Sequence, residues 1–392
     1  MVYEYEHGAN VTPDITNVGA NEYHSFAFEG LFPVHSMAYN SYLIMDDKIA
    51  VLDTVDQRVT CQWLDNLREA LAGRQPDYLI VQHMEPDHSA SILTFLRNFP
   101  GAQVVATKQA FTMMKQFYET EFLSNRMIVT EGDTLDLGRH KLTFFTAPMV
   151  HWPEVIVTYD ATDKVLFSAD GFGKFGATDA EEHWDCEARR YYFGIVGKYG
   201  AQVQALLKKA ATLDIQAICP LHGPVLTEEV EHYIEKYDIW SSYRPEDKGV
   251  CIAYTSIYGN TEKAAEELYR QLEWEGVEVV LHRLSRYDDT EVVEDAFRYS
   301  HLVLMAPTYN GGLHPHMQCY LDALVERNFQ NRTVAIVENG TWAPQAGKVM
   351  RRMLENCKDI SYMDEGFTIR SAMNEENRQQ LKALLEALKK VR

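Results

Sequence analysis

The sequence predicts an α/β protein of two parts, and three observations carry the prediction. The apolar run Tyr78-Leu79-Ile80-Val81 reads as a buried strand that delivers a ligand-rich loop, His83-Met84-Glu85-Pro86-Asp87-His88. A polar stretch with Pro and Gly, Ser241 to Gly249, reads as a domain boundary. Beyond it the pattern becomes a regular βα alternation, as expected of a doubly wound parallel sheet. The expected domains are 1–247 and 248–392.

The chain has 392 residues, 46% hydrophobic and 24% charged, enough to fill two or three ordinary cores. A formal net charge of -20 argues against nucleic-acid partners, which favour a basic face. The six cysteines form no CxxC pair, so no Cys-rich zinc or iron–sulfur site is visible, and most are expected to be small buried residues. There is no apolar signal core and no run long enough to cross a bilayer, which predicts a soluble, cytoplasmic protein without a membrane partner.

In chain order, residues 1–35 read as irregular and carry His7, His24 and His35. Strands are expected at Ser41–Met45 and Ile49–Asp53, around an Asp46-Asp47-Lys48 turn, and a helix over Cys61–Ala72. Pro86 argues for a loop after the strand at 78–81. A helix over Ser89–Phe99 follows, and Asp87 taken alone could be its cap. Then come a strand over Val104–Thr107, a helix over Gln109–Phe122 and strands at Met127–Val129, Leu142–Thr146, Glu154–Tyr159 and Val165–Phe167. Residues 180–213 read as mostly helical, Ile215–Ile218 as a strand and Glu228–Trp240 as a helix.

Three further candidate ligands stand at strand ends. They are His151 in Pro148-Met149-Val150-His151-Trp152-Pro153, Asp170 before Gly171, and His222 in Pro220-Leu221-His222-Gly223-Pro224. Each alone has an ordinary explanation: a hydrogen-bonded histidine or a turn-building aspartate. As a set with the 83–88 loop they point to a two-metal site, because buried carboxylates are costly unless paired or metal-bound.

Apart from Glu85, the loop resembles the His-x-His-x-Asp-His pattern of the metallo-β-lactamase fold, with His151, Asp170 and His222 matching that superfamily's later ligands. Glu85 stands in place of the second histidine, and in this the chain resembles the flavodiiron proteins (A-type flavoproteins). That resemblance implies a metallo-β-lactamase-like αββα sandwich with two non-haem iron ions. His83, Glu85 and His151 would hold one, Asp87, His88 and His222 the other, and Asp170 would bridge. Mixed imidazole and carboxylate ligation suits oxygen-activating iron, although zinc and manganese also accept it. His24 stands where family members place a histidine near the pocket, which implies a catalytic role.

In the second half, strands are expected at Val250–Thr255, Val277–Leu281, His301–Ala306, Thr333–Val337 and Gly366–Ile369. Helices are expected at Thr261–Glu273, Gln318–Glu326, Ala346–Glu355 and Glu375–Lys390. The first strand runs into Thr255-Ser256-Ile257-Tyr258-Gly259-Asn260-Thr261, whose hydroxyls and amides at a helix start can cradle a phosphate. It is neither a Walker motif nor GxGxxG. Two later strand ends read Pro307-Thr308-Tyr309-Asn310-Gly311-Gly312 and Asn339-Gly340-Thr341-Trp342. Tyr309 or Trp342 could cover a flat ring, or Trp342 could be core. Together these loops resemble flavodoxin, which implies FMN, with its phosphate at 256–261 and its ring near 307–312 and 339–342.

The family resemblance spans nearly the whole chain. It implies an oxidoreductase that reduces dioxygen to water, nitric oxide to nitrous oxide, or both. No rubredoxin-like or flavin-reductase extension is visible, so a separate electron donor is expected: rubredoxin, a reductase or a reduced deazaflavin coenzyme. A head-to-tail homodimer or dimer of dimers is also implied. A zinc hydrolase carrying a flavodoxin module, and a silent electron carrier, are the alternatives. Glu85 and the flavin loops count against the first, and the intact seven-ligand set against the second.

Overall fold

The computed structural model describes residues 10–119, 125–284 and 290–391, so His7 and the last residues of the helix expected over Gln109–Phe122 lie outside them. The chain forms two compact units, one of Met1–Tyr192 with Ala201–Asp238 and the other of Phe193–Gly200 with Ile239–Arg392.

The first unit opens with short strands: β1 (Ile15–Asn17), β2 (Ala20–Glu22), β3 (Phe26–Phe28), β4 (Phe32–Val34), β5 (Met37–Tyr39), β6 (Tyr42–Ile44) and β7 (Ala50–Leu52). Helix α1 (Thr60–Leu71), strand β8 (Tyr78–Ile80), helices α2 (Pro86–Ser89) and α3 (Ile92–Asn98), strand β9 (Gln103–Ala106), helix α4 (Lys108–Tyr118) and strand β10 (Arg126–Ile128) follow. Then come β11 (Thr134–Asp136), β12 (Lys141–Thr146), β13 (Ile156–Asp160), β14 (Val165–Phe167), α5 (Trp184–Tyr191), α6 (Gly200–Ala210), β15 (Ala217–Cys219) and α7 (Val230–Ser241).

Two sheets result, ordered β1-β6-β7-β8-β9-β10 and β11-β12-β13-β14-β15. Their inner faces share one core, in which Tyr42, Leu52 and Ile80 of the first sheet meet Leu142, Phe144, Ile156 and Phe167 of the second. With helices on the outside this is the αββα sandwich. The parallel pairs β7–β8 and β8–β9 bury all three residues of β8, which is why that run reads as continuously apolar.

The second unit contains β16 (Asp247–Tyr254), α8 (Asn260–Trp274), β17 (Val279–Arg283), α9 (Thr290–Arg298), β18 (Tyr299–Tyr309) and β19 (Gly312–Leu313). It continues with α10 (Pro315–Glu326), β20 (Arg332–Asn339), α11 (Ala346–Met353), β21 (Ile360–Tyr362), β22 (Phe367–Ile369) and α12 (Glu375–Leu388). Its main sheet runs β17-β16-β18-β20-β21, with β22 also parallel to β20. This flavodoxin-like order has its topological switch between β16 and β18. Among the described residues no helix is long and apolar enough to cross a membrane.

Several expectations need correction. Described residues of the 1–35 segment are ordered, not irregular. Strands of three residues are too short to show an alternating pattern, and they are fixed by partners instead: β1 by β6, β2 by β5, and β3 by β4 through a turn at Glu29 and Gly30 with φ of 51° and 74°. Pro86 opens a short helix, where its fixed φ and missing N–H cost nothing. The helix expected over Ser89–Phe99 is broken, because the Ser89 carbonyl accepts the Tyr118 hydroxyl and Ser91 turns to Thr60. Strands β11 and β21 and helix α9 were not anticipated. Cys61, Cys186 and Cys319 are exposed, and Cys219 and Cys251 are buried.

Candidate metal centre and cofactor pocket

Strand β8 ends in the ligand loop, and the backbone there is set by a buried carboxylate. Asp53 Oδ1 accepts the Gln82 amide at 2.8 Å and the His83 amide at 3.3 Å, and Oδ2 accepts Gln82 Nε2 at 2.9 Å. Burial pushes the Asp53 carboxyl up to about 6, against the pull of these bonds. Thr54 then holds the His88 carbonyl through both its amide (2.9 Å) and its hydroxyl (2.7 Å). Glu85 is the residue before α2, yet its side chain makes no capping bond and turns to the histidines instead. Four non-glycine residues near the ligands have left-handed φ: Asp53 (55°), Met149 (65°), Ala169 (50°) and Phe172 (66°). Backbone strain of this kind persists where the surroundings over-determine it, commonly at functional sites.

All seven predicted ligands converge. Ligand atoms of His83, Glu85, His151 and Asp170 lie within 4.8 Å of one another, and so do those of Asp87, His88 and His222. His83 Nε2 is 3.3 Å from His151 Nε2, and His88 Nε2 is 3.0 Å from His222 Nε2. Asp170 divides its oxygens between the pairs. Oδ2 stands 3.3 Å from His83 Nε2 and 3.1 Å from His151 Nε2, while Oδ1 stands 3.2 Å from His88 Nε2 and 3.8 Å from His222 Nε2. Glu85 Oε2 serves the first group, 2.9 Å from His151 Nε2, and Asp87 Oδ2 the second, 3.3 Å from His222 Nε2.

The far sides of two rings are fixed. His83 Nδ1 meets Glu154 Oε1 at 2.9 Å, an oxygen that also accepts the Met84 amide at 2.8 Å. His222 Nδ1 donates to the Ala38 carbonyl at 2.7 Å. Both partners engage Nδ1 and leave Nε2 facing the other ligand atoms, the orientation in which a neutral imidazole can ligate a cation. Phe28, Tyr39 and Tyr191 surround the His222 ring at 5.5, 5.9 and 5.5 Å between centroids.

Electrostatics agree with a site built around positive charge. Burial alone would push the Asp170 carboxyl up, but His83 and His88 hold it well below the usual range. Burial would likewise depress His83, but Asp170, Glu154 and Glu85 drive it well above its usual value. Burial would depress His151 too, but the neighbouring Asp170 and Glu85 carboxylates outweigh it and raise it to about 9. Neither oxygen of Asp87 or of Asp170 has a hydrogen-bond partner. Facing imidazole nitrogens and orphaned buried carboxylates together fit two cations, one per group.

A third cluster, Asp14, His140 and Asp163, is different. Arg139 already supplies its cation, 2.6 Å from Asp14 and 2.5 Å from Asp163. His24, expected at the site, is exposed, and its ion pair and ring contact are with Glu22 at 3.2 Å and Phe26 at 5.4 Å.

In the second unit a cavity of about 490 Å³ opens at the C-terminal ends of β16, β18 and β20. Of the predicted cofactor residues, Ser256, Ile257, Tyr258, Asn260, Thr261, Pro307, Thr308, Tyr309, Asn310, Gly311, Asn339, Gly340, Thr341 and Trp342 line it. Thr255, Gly259 and Gly312 do not, and Ala343 and Ser371 were missed. Thr255 is wholly buried beneath the loop, and Gly259 takes the left-handed conformation (φ 83°) that turns the chain into α8. A side chain at Gly340 would meet Pro344 Cα at 2.8 Å, so glycine is needed there. Trp342 is 87% exposed and Tyr258 90%, so neither is core and both present free aromatic faces at the rim. None of the lining side chains carries a charge, so an anion here would be held by hydroxyls, amides and the α8 N-terminus.

Glu154, Asp53, Tyr191 and the residues caging His222 escaped sequence reasoning. Glu154 had a usable signal, as a carboxylate inside an apolar run, Trp152 to Val157, just ahead of β13.

Comparison with known proteins places both units. The ODP family beta lactamase model matches residues 37–223 and the flavodoxin model residues 252–356. A nitric oxide reductase of Moorella thermoacetica is 30% identical over 370 residues, 92% of each chain. The flavodiiron protein from Giardia intestinalis superposes with a TM-score of 0.91 at 26% identity, over 99% of this chain and 97% of that one. Rubredoxin oxygen:oxidoreductase from Desulfovibrio gigas gives 0.89 at 23% identity, over 98% of both.

Proposed function

Because this chain belongs to the flavodiiron protein family, we propose that it reduces a small diatomic gas at a non-haem di-iron centre, with electrons from a separate donor arriving through FMN. Two iron ions would supply gas binding and redox change, and FMN the electron relay. Dioxygen would take four electrons and four protons to give two waters. Two molecules of nitric oxide would take two electrons and two protons to give nitrous oxide and water.

The observation that carries this reading is Asp170, buried, with one oxygen turned to each histidine pair. Glu85 adds a hard oxygen where a zinc hydrolase loop would carry imidazole. His83, Glu85 and His151 are assigned to one iron, Asp87, His88 and His222 to the other, and Asp170 to both. Glu154 and the Ala38 carbonyl orient His83 and His222. The uncharged pocket at 256–261, 307–312 and 339–342 is assigned to FMN, with Tyr258, Tyr309 and Trp342 as covering rings. The Moorella relative's name favours nitric oxide, and dioxygen is the other gas implied by the family. Rubredoxin, a reductase or a reduced deazaflavin is the proposed donor, and a head-to-tail homodimer the proposed assembly.

Metal analysis with an optical spectrum tests the chemistry: iron with bound FMN is expected, and zinc without flavin contradicts it. Steady-state consumption of each gas with one reduced donor then assigns the preference.

A further inference from the structure

Asn339 was expected to touch the flavin, but its polar atoms are engaged by the protein. The side chain is buried, and Nδ2 donates to Thr261 Oγ1 at 3.3 Å and to the Ser371 carbonyl at 3.1 Å, while Oδ1 accepts the Ser371 amide at 3.2 Å. The paired N–H and C=O of Ser371 fix which end of the amide is which. Ser371 follows β22, has a left-handed φ of 72°, and donates its hydroxyl to Thr341 Oγ1 at 3.0 Å. Thr261 lies in the first turn of α8, and both it and Ser371 line the cavity. One amide therefore joins three strand-end segments: the start of α8, the turn after β20 and the turn after β22.

We propose that Asn339 is a positioning residue that pins these three segments together and orients the Thr261 hydroxyl towards the ligand's phosphate. A hydroxyl has a single proton to donate. By occupying the oxygen as acceptor, Asn339 leaves that proton for an anion at the α8 N-terminus. The pin thus favours the phosphorylated flavin over riboflavin and recruits Ser371 as a pocket wall. This rests on the flavin reading of the cavity.

The test is titration of flavin-depleted full-length chain with FMN and with riboflavin, followed by quenching of flavin fluorescence. Loss of hydrogen bonds from a buried group predicts that Asn339→Ala weakens FMN about tenfold and riboflavin much less. Thr261→Val should do the same, and the double variant should be no weaker than either single one, because both break one linkage. Unchanged FMN affinity in Asn339→Ala overturns the pin. Equal losses for both flavins, or additive losses in the double variant, overturn it too. If Asn339→Ala does not fold, Thr261→Val alone decides by the ratio of FMN to riboflavin affinity: a reduced ratio supports the pin and an unchanged one overturns it. A wild-type chain that binds neither flavin overturns the flavin reading itself, and the pin with it.

Discussion

Glu154 touches no proposed metal position, yet its one oxygen holds both the His83 ring and the Met84 amide. Such outer partners typically cost 10- to 100-fold in metal affinity when lost, so Glu154→Gln is expected to bind metal about that much more weakly. Competition with a chelator measures this, and an unchanged affinity would falsify the orienting role. At this scale the sequence was informative where chemistry is written in residue type. The seven ligand candidates are all His, Asp or Glu at strand ends, and the structure brings every one of them together. It was silent where the role is conferred by contact alone. Tyr191 reads as one aromatic among many, and only the fold sets it beside His222. His24 shows the converse: family position singled it out, while its contacts in the structure are with Glu22 and Phe26.

Among the elements that carry no ligand, the β3–β4 hairpin reaches the site through a ring contact with His222. Its Phe28 is buried edge-on against both His222 and Phe175. Removing that ring leaves a cavity, and Phe28→Ala should cost roughly 3–5 kcal/mol of stability and loosen metal held through His222. Thermal unfolding with and without added metal reads both effects. A stability change without any loss of metal affinity would confine Phe28 to packing.

A second element-scale prediction concerns the β12–β13 ladder, where buried His140 Nδ1 meets Asp160 Oδ2 at 2.9 Å. Burial opposes charge on both, but their mutual attraction raises His140 and lowers Asp160. A raised histidine stabilises the fold fully below its ordinary value of 6.5 and loses that contribution as pH rises through its folded value. A lowered aspartate stabilises above its ordinary 3.8 and loses that as pH falls. His140→Gln should therefore destabilise most between about pH 4 and 6.5 and progressively less in alkali. A melting-temperature deficit that is flat from acid to alkali contradicts this. The hairpin and this ladder also show why element boundaries were partly illegible. Long parallel strands such as β16 and β18 announce themselves by continuous apolar runs. Three-residue strands owe their existence to partners far away in sequence, as Asn21 does to Ala38.

At the scale of the whole molecule, the order of a metallo-β-lactamase-like unit and a flavodoxin-like unit was legible because each has its own periodicity and its own loop chemistry. Assembly was not, because the charge and composition of a surface do not name what covers it. The proposed head-to-tail dimer makes a separable prediction. Chains carrying His88→Asn mixed with chains lacking flavin should regain gas reduction in hybrid dimers, whereas neither parent turns over. Absence of rescue in demonstrated hybrids contradicts electron transfer between subunits.

The central claim is that electrons held on the flavin reach the gas through the seven-ligand centre. The most direct measurement is stopped-flow reoxidation of the fully reduced, iron-loaded protein on mixing with dioxygen or nitric oxide, in wild type and in His88→Asn. The account predicts fast reoxidation by at least one gas in wild type. In His88→Asn it predicts a rate at least tenfold lower, with FMN retained and iron impaired, because His88 belongs to the metal group of the other unit. Equal rates in the two proteins, with iron lost only from the variant, would contradict it.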